Sequence, residues 1–506
     1  MMDQGDRHEE LLNNDPLSTP ASASGDKFGH IERRGIDRIP DAERHGTARE
    51  LLLVWMAPNI IYLDVILGGA MIKLGLGIWQ AIAVIVAGNA YWLLVGLVSI
   101  SGATSGTPGC VVMRSMFGVR ANRGNVAICV WGIMVAYEAV NLSVGALAGF
   151  ALIQSIGIGL NASWKLAMVL AISVATITIS VYGHATIVKL SGYFTLGLAL
   201  CFAVLAYFIL SHANLNYTPP APSSAASIWT AVTVGFVIIA SSPLSWPTGA
   251  DYSRYLPAGT SATRIVIWTT LGAFIPAVLI SILGALAGTA VDMTDPQTSF
   301  AAILPKWFYP IFLLVIIVSS ITNNVLTAYS SGLALQALGI NARRAVTVSI
   351  DGIVAVSLTI YALFVSNFFD ALNNFLSLSV AILGPCIAIY VTDSVLCRNQ
   401  YDGQQLSDES RQSPFWYWHG IYWAGMIAEV SGTGAALLCI NSPVFVGPVA
   451  RALKGSDLSA IAGPAIAAGV YFAMTRGTRG RKVERHLQID QLNAQDLEET
   501  SRRAES

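Results

Sequence analysis

The chain has 506 residues, of which 54% are hydrophobic and only 12% charged, with a formal net charge of −1. A water-soluble fold carries about 25% charged residues, so a fold that faces water on all sides is excluded and most of the surface is expected to face lipid. The near-zero net charge also argues against nucleic acid as a partner. The six cysteines (Cys110, Cys129, Cys201, Cys386, Cys397 and Cys439) are scattered, mostly in apolar runs, which suggests neither a disulfide framework nor a zinc site.

In chain order, a polar stretch comes first (residues 1–49), read as a cytoplasmic tail rather than a targeting sequence. A membrane span needs about 20 apolar residues at 1.5 Å each. Twelve runs qualify, beginning near Leu51, Trp79, Val126, Trp164, Leu190, Ile228, Ile265, Trp307, Ala345, Phe369, Phe415 and Leu458, the fourth and twelfth being the shortest. Residues 50–213 then hold spans one to five, 226–397 spans six to ten, 415–474 spans eleven and twelve, and 475–506 a second tail.

With the N-terminus inside, the inner loops carry Arg114, Arg120, Arg123, Lys189, Arg254, Arg264, Arg343, Arg344, Arg398 and Arg411, and the last tail adds Arg476, Arg479, Arg481, Lys482 and Arg485. The outer loops carry only Lys73, Lys165, Lys306, Arg451 and Lys454. The positive-inside rule therefore places both termini in the cytoplasm, with an even number of spans.

Two spans read as broken. The first carries Pro58-Asn59 midway and Gly68-Gly69 further on; the sixth carries Pro243, Pro247 and Gly249. Proline removes a backbone donor and glycine unwinds cheaply, and backbone groups freed at membrane depth are tolerated only where they line a cavity. The two spans stand five apart, the spacing of a five-plus-five inverted repeat with its site between them.

Span three holds Tyr137, Glu138 and Asn141 within an arc of roughly 100°, at about 100° per residue, so one helix face is expected to present a ring, a carboxyl and an amide. A mid-membrane carboxylate costs about 2.5–3.5 kcal/mol on insertion scales, so Glu138 is read as functional or neutralised. Span eight holds Ser319, Ser320, Thr322, Asn323, Asn324, Thr327 and Ser330, a polar stripe on an otherwise aliphatic helix, and span one adds Asn59 and Asp64. Interhelical hydrogen bonds of about 0.6 kcal/mol each account for a single hydroxyl but poorly for this run. It favours a cavity for a small, neutral, hydrogen-bonding molecule, since no basic residue lies deep in these spans. No HExxH, GxSxG or paired catalytic aspartate motif points to an enzyme.

Several segments carry a family resemblance: Ile31 to Pro40 with Glu43-Arg44, Pro108 to Arg120, Asp251-Tyr-Ser-Arg-Tyr-Leu-Pro257, Thr322 to Ser330, Asp393 with Arg398 and Tyr401-Asp402, and Phe445-Val-Gly-Pro-Val with Gly455 to Ser459. Over roughly residues 31–475 the chain resembles the nucleobase:cation symporter-1 family, purine–cytosine permease type. The resemblance implies an all-α membrane protein of about 12 transmembrane helices with a LeuT-type five-plus-five inverted repeat plus two peripheral helices. It implies that a base stacks between aromatics of spans three and six while amides read its edge. By position Tyr137 matches the span-three aromatic, usually Trp, and Asn141 the amide after it. Trp246 or Ser242 takes the span-six position, Asn323 and Asn324 match the paired asparagines, and Thr327 replaces a third. Asn59 of the span-one break completes the candidate substrate site.

Sodium-coupled relatives use span-one carbonyls and two adjacent span-eight hydroxyls. The matching pair here is Ile321-Thr322, with Ser320 beside it, so a hydroxyl is missing and the coupling ion is expected to be H+, with Na+ as the alternative. Glu138 is the first candidate carrier, because it shares a helix face with Tyr137 and Asn141; Asp64 is the second, or a structural partner. The expected function is uptake of a purine and/or cytosine coupled to a cation, the alternative being another nitrogen-rich ring such as allantoin, hydantoin or a pyridoxine-like vitamin. The expected partners are that base and the lipids of the plasma membrane, with no cofactor, metal or oligomeric state implied.

Overall fold

The computed structural model describes residues 29, 31–32, 34–219, 225–293, 296–365 and 368–477. Most of both tails, including Arg479, Arg481, Lys482 and Arg485, lies outside the described residues. Twelve helical segments match the twelve runs. The first, α1, is in two halves, Glu50–Asn59 and Tyr62–Lys73. It is followed by α2 (Ile78–Ser105), α3 (Val119–Ser155), α4 (Ala162–Tyr182) and α5 (His184–His212). Then come α6 (Ala225–Leu244), α7 (Ala262–Gly288), α8 (Tyr309–Ala337), α9 (Arg344–Phe364), α10 (Phe368–Leu396), α11 (Trp423–Cys439) and α12 (residues 459–477). With α1 taken as one bent span, ten are long and apolar enough to cross a membrane among the described residues. The last two are shorter or less apolar. At 17 residues α11 is the shortest, rather than the fourth or twelfth.

The eleventh helix also begins at Trp423, not near Phe415. The aromatic residues before it form a turn: the Tyr417 and Tyr422 rings stack at 4.3 Å, and Tyr417, His419 and Gly420 adopt positive φ. Hydropathy counts those rings as span, whereas their backbone turns to dock at the start of α3, with the Arg120 N–H donating to the Gly420 carbonyl at 2.8 Å and the Tyr422 N–H to the carbonyl of Phe117, just before α3, at 2.8 Å.

Both expected breaks are present. The halves of α1 meet at 58°, with Ile60 and Ile61 outside helical geometry directly after Pro58-Asn59. Helix α6 stops at Leu244, and a four-residue turn, Ala250–Ser253, resumes beyond Pro247 and Gly249. Gly68-Gly69 is different, because the second half of α1 runs through it without interruption. A Cβ on Gly68 would lie 1.8 Å from the Ser281 carbonyl oxygen of α7, and one on Gly284 would lie 2.1 Å from the Val65 carbonyl oxygen. These glycines let two backbones cross closely, the small-residue packing of membrane helices, instead of unwinding one.

The helices pack in two groups. In one, α7 lies along both halves of α1 and against α2, which also packs on α6; in the other, α3, α4, α8 and α9 pack on one another. Each group thus takes two helices from the first five and two from the second five, as an inverted repeat requires. Of the apolar windows of α3 and α8, 72% is buried, against 28% for α4 and α5, so the former are central and the latter face lipid. Exposed Leu170, Val174, Leu196 and Leu200 line that outer surface. The two groups meet where α1 and α6 break.

Candidate functional site

A break in a helix leaves carbonyls and N–H groups without their usual partners, and here α3 and α8 supply side chains to meet them. The Asn323 amide donates to the Pro58 carbonyl at 3.0 Å, on the bend of α1. The Asn59 amide donates back to the Trp55 carbonyl at 2.8 Å. At the other break, the Tyr137 hydroxyl donates to the Ser241 carbonyl at 3.0 Å and Ser245 to that of Ser242 at 2.6 Å. Asn141 joins the two central helices, donating to the Asn323 side-chain oxygen at 2.7 Å, while the Thr327 hydroxyl donates to the Asn323 carbonyl at 3.1 Å.

These groups enclose a cavity of about 30 Å³ lined by Asn59, Asp64, Tyr137, Asn141, Ser242, Ser245, Trp246, Asn323 and Thr327, with Ile61, Leu63 and Met134 as its apolar part. Two rings border it. Tyr137 stands edge-on to Phe375 at 4.8 Å, and Trp246 edge-on to Trp55 at 5.3 Å. Two acceptors, Asn141 Oδ1 and Asp64 Oδ2, have no hydrogen-bond partner among the described residues. Unpartnered buried acceptors are uncommon, and both of these belong to residues of the lining. The lining holds no cation. A larger groove of about 400 Å³ between α1, α5 and α7 is lined wholly by apolar side chains such as Met56, Phe202 and Leu283, so it offers nothing to a hydrogen-bonding ligand.

Seven of the eight expected substrate residues therefore come together: Asn59, Tyr137, Asn141, Ser242, Trp246, Asn323 and Thr327. Asn324 does not, because it sits about 100° round α8 from Asn323 and donates to the Glu138 carbonyl at 3.0 Å behind the cavity. Of the coupling candidates, Asp64 lines the cavity and Glu138 does not. Asn141 lies between Tyr137 and Glu138 on the α3 wheel, and the cavity takes the Tyr137 side, so the Glu138 carboxyl turns to Ser331 at 3.0 Å. Ser320 and Thr322, about 200° apart on one helix, share no site. Ser320 packs on Gly145, while Thr322 donates to the Val318 carbonyl at 2.8 Å and faces Ser191 and Phe194 of α5.

The residue-level reading missed Ile61, Leu63, Met134 and Ser245 of the lining, and Phe375 behind Tyr137. It also missed Asp351 of α9, which meets the same Ser331 hydroxyl as Glu138. An acid in the middle of an apolar span was the available signal.

The cavity thus lies at the paired helix breaks, and the chain as a whole is similar to known membrane transporters. The solved structure of Mhp1, a nucleobase-cation-symport-1 family transporter, in a closed conformation with bromovinylhydantoin bound, matches with a TM-score of 0.70 at 16% identity, covering 90% of this chain and 96% of that one. The inward-facing conformation of Mhp1 matches with a TM-score of 0.66 over the same shares. The chain thus has the LeuT-type fold. The candidate purine-cytosine permease YxlA of Bacillus subtilis is 25% identical over 472 residues, 88% of this chain and 96% of that protein. The purine-cytosine permease fcyB of Emericella nidulans is also 25% identical over 472 residues, 88% of each chain. The family of permeases for cytosine/purines, uracil, thiamine and allantoin matches residues 38–463. The chain belongs to that family, as a multi-pass membrane permease of nucleobase-like compounds and not an enzyme.

Proposed function

We propose that this protein takes up a purine and/or cytosine by alternating access, driven by a proton gradient. The observation that carries the reading is the cavity's chemistry: amides of Asn141 and Asn323, unpartnered acceptors on Asn141 and Asp64, and rings of Tyr137 and Trp246. A planar base presents donors and acceptors along one edge. An amide side chain pairs with both kinds, and an aromatic ring stacks on the base's face without asking for charge. An anion would meet Asp64 with no cation to offset it.

At about 30 Å³ the cavity holds a water or two and not a base. Entry therefore requires the cavity to widen, as in the rocking or gating of one bundle against the other that alternating access uses. The protein sits in the plasma membrane, the inner membrane if the cell is bacterial, with both tails cytoplasmic on the distribution of Lys and Arg. Reporter fusions to each terminus check that orientation; a signal from outside at either end refutes it.

The hydantoin bound in the Mhp1 structure favours a second reading, in which another nitrogen-rich ring such as allantoin, hydantoin or a pyridoxine-like vitamin is carried. Competition against uptake of labelled adenine and labelled cytosine separates the two. Purines and cytosine are expected to compete, and inhibition confined to hydantoin or allantoin selects the second reading. Uptake should collapse with a protonophore and ignore replacement of sodium by choline; the reverse pattern makes sodium the coupling ion.

A further inference from the structure

The flank of α3 turned away from the cavity carries a second polar cluster that the binding of a base does not use. Glu138 Oε1 and Asp351 Oδ2 both hydrogen-bond the Ser331 hydroxyl. The other Asp351 oxygen accepts from the Trp131 indole N–H at 3.0 Å. Trp131 belongs to a single π-helical turn, Ala127–Gly132, within α3, the kind of local irregularity that re-aims side chains at functional sites. Glu138, Asp351 and Ser331 are all buried, at 3%, 0% and 0% exposure. A serine hydroxyl owns one proton. It can donate to one carboxylate only, so the second contact requires the other carboxyl to bring a proton of its own.

Among the described residues the surroundings offer no countercharge. Helix α4, packed on α3, α8 and α9, has no ionisable side chain between Lys165 and Tyr182. On α10, Tyr390 hydrogen-bonds Ser101 of α2 and Asp393 accepts from Tyr471 of α12. On α8, Tyr329 bonds Glu32 and Arg254. Arg344 of α9 lies seven residues from Asp351, about 10 Å along the helix, and is held by Glu32 and the carbonyls of Ser180 and Val181. Arg344 also borders an open vestibule of about 1140 Å³ shared with Glu32, Gln336 and Glu409. The acid pair is thus buried, uncompensated and about two helical turns from water.

We propose that Glu138 and Asp351, bridged by Ser331, form the site that carries the coupling proton. One proton, shared between the two carboxyls, is held while the pair is buried. When the vestibule deepens along α9, water solvates both carboxylates and the proton passes to bulk water. The cavity is linked to the pair through adjacent residues of α8: Asn323 lines the cavity, and Asn324 holds the Glu138 backbone carbonyl. Asp64, inside the cavity, is left as an acceptor for the base.

This assignment rests on the reading of proton-driven nucleobase uptake, and the test keeps the two apart. The full chain in liposomes is given an imposed pH gradient, and accumulation of labelled adenine is compared among wild type, Glu138→Gln and Asp351→Asn. Exchange of internal for external adenine at equal pH, which needs no net proton movement, is measured in the same vesicles. Both variants are expected to lose uphill accumulation and its pH dependence while keeping exchange. Either variant accumulating like wild type overturns the assignment, as does loss of exchange together with accumulation in both, since the pair is then structural. A wild type that answers only to a sodium gradient overturns the proton reading itself, and with it the pair.

Discussion

Asn141 and Asn323 meet side chain to side chain at 2.7 Å between α3 and α8, and Asn323 passes the contact on to the Pro58 carbonyl at the bend of α1. One amide pair thereby ties the two central helices to the bend of α1.

From this follows the first prediction. Asn323→Ala and Asn141→Ala should each weaken apparent affinity for the transported base roughly 5- to 150-fold, the equivalent of about 1–3 kcal/mol for leaving a polar edge unpaired. Asn324→Ala should cost clearly less, because its amide serves the Glu138 backbone and not the cavity. Dose-response uptake, normalised to protein in the membrane, gives the ranking; equal losses at 323 and 324 would contradict the geometry.

Tyr137 combines a ring against Phe375 with a hydroxyl on the Ser241 carbonyl. Tyr137→Phe removes one neutral hydrogen bond, worth about 0.5–1.5 kcal/mol, and should weaken transport of every base by a similar factor. Tyr137→Ala also removes the ring and should lower all affinities further, again without changing selectivity. A loss confined to purines or to cytosine would show that the residue reads the edge instead of stacking.

Gly68 and Gly284 allow α1 and α7 to cross with backbones in contact. At 1.8 and 2.1 Å from carbonyl oxygens, a methyl has no side chain to displace, so Gly68→Ala or Gly284→Ala must separate the helices. Overpacking of this kind costs about 1–3 kcal/mol, and more where backbone is the obstacle. Lowered melting temperature in detergent and reduced membrane abundance are expected; a wild-type melting temperature in both variants would refute the close crossing.

Glu32, in the segment before α1, lies 2.9 Å from Arg254 beyond α6 and 3.7 Å from Arg344 at the start of α9, with Tyr255 and Tyr329 hydroxyls on the same carboxyl. Burial alone drives this carboxyl's pKa up. The charges of Arg344 and Arg254, with the Tyr255 hydroxyl and the His184 N–H, outweigh burial and leave it below its ordinary value. A depressed folded-state pKa gives stability that is present above the ordinary carboxylate range and is lost as pH falls through the folded value. Glu32→Gln strands two buried guanidiniums and should cost about 3–5 kcal/mol at neutral pH. Melting curves of wild type and variant should converge on acidification, and a gap independent of pH would rule out the ion pair as its source.

Much of this architecture was legible in one dimension. Hydropathy located the helices because crossing lipid is a local demand of length and composition. Pro58 and Pro243 marked the broken spans because a missing backbone donor acts where it stands. Asn323 and Thr327, four residues apart, fall on one face of α8 because angles within one helix follow from its own geometry.

What the sequence by itself could not determine is how each helix is rotated against its neighbours. Only that rotation decided that the cavity takes Tyr137 and Asn141 and leaves Glu138 behind, that Asn324 faces α3, and that Asp64 lies inside. The same holds for Glu138 and Asp351, which no local pattern joins, and for Gly68-Gly69, which reads as a break until α7 is seen lying on it. Rotation and contact between helices are set by the close packing of many side chains at once, a property of the assembled bundle and not of any one span.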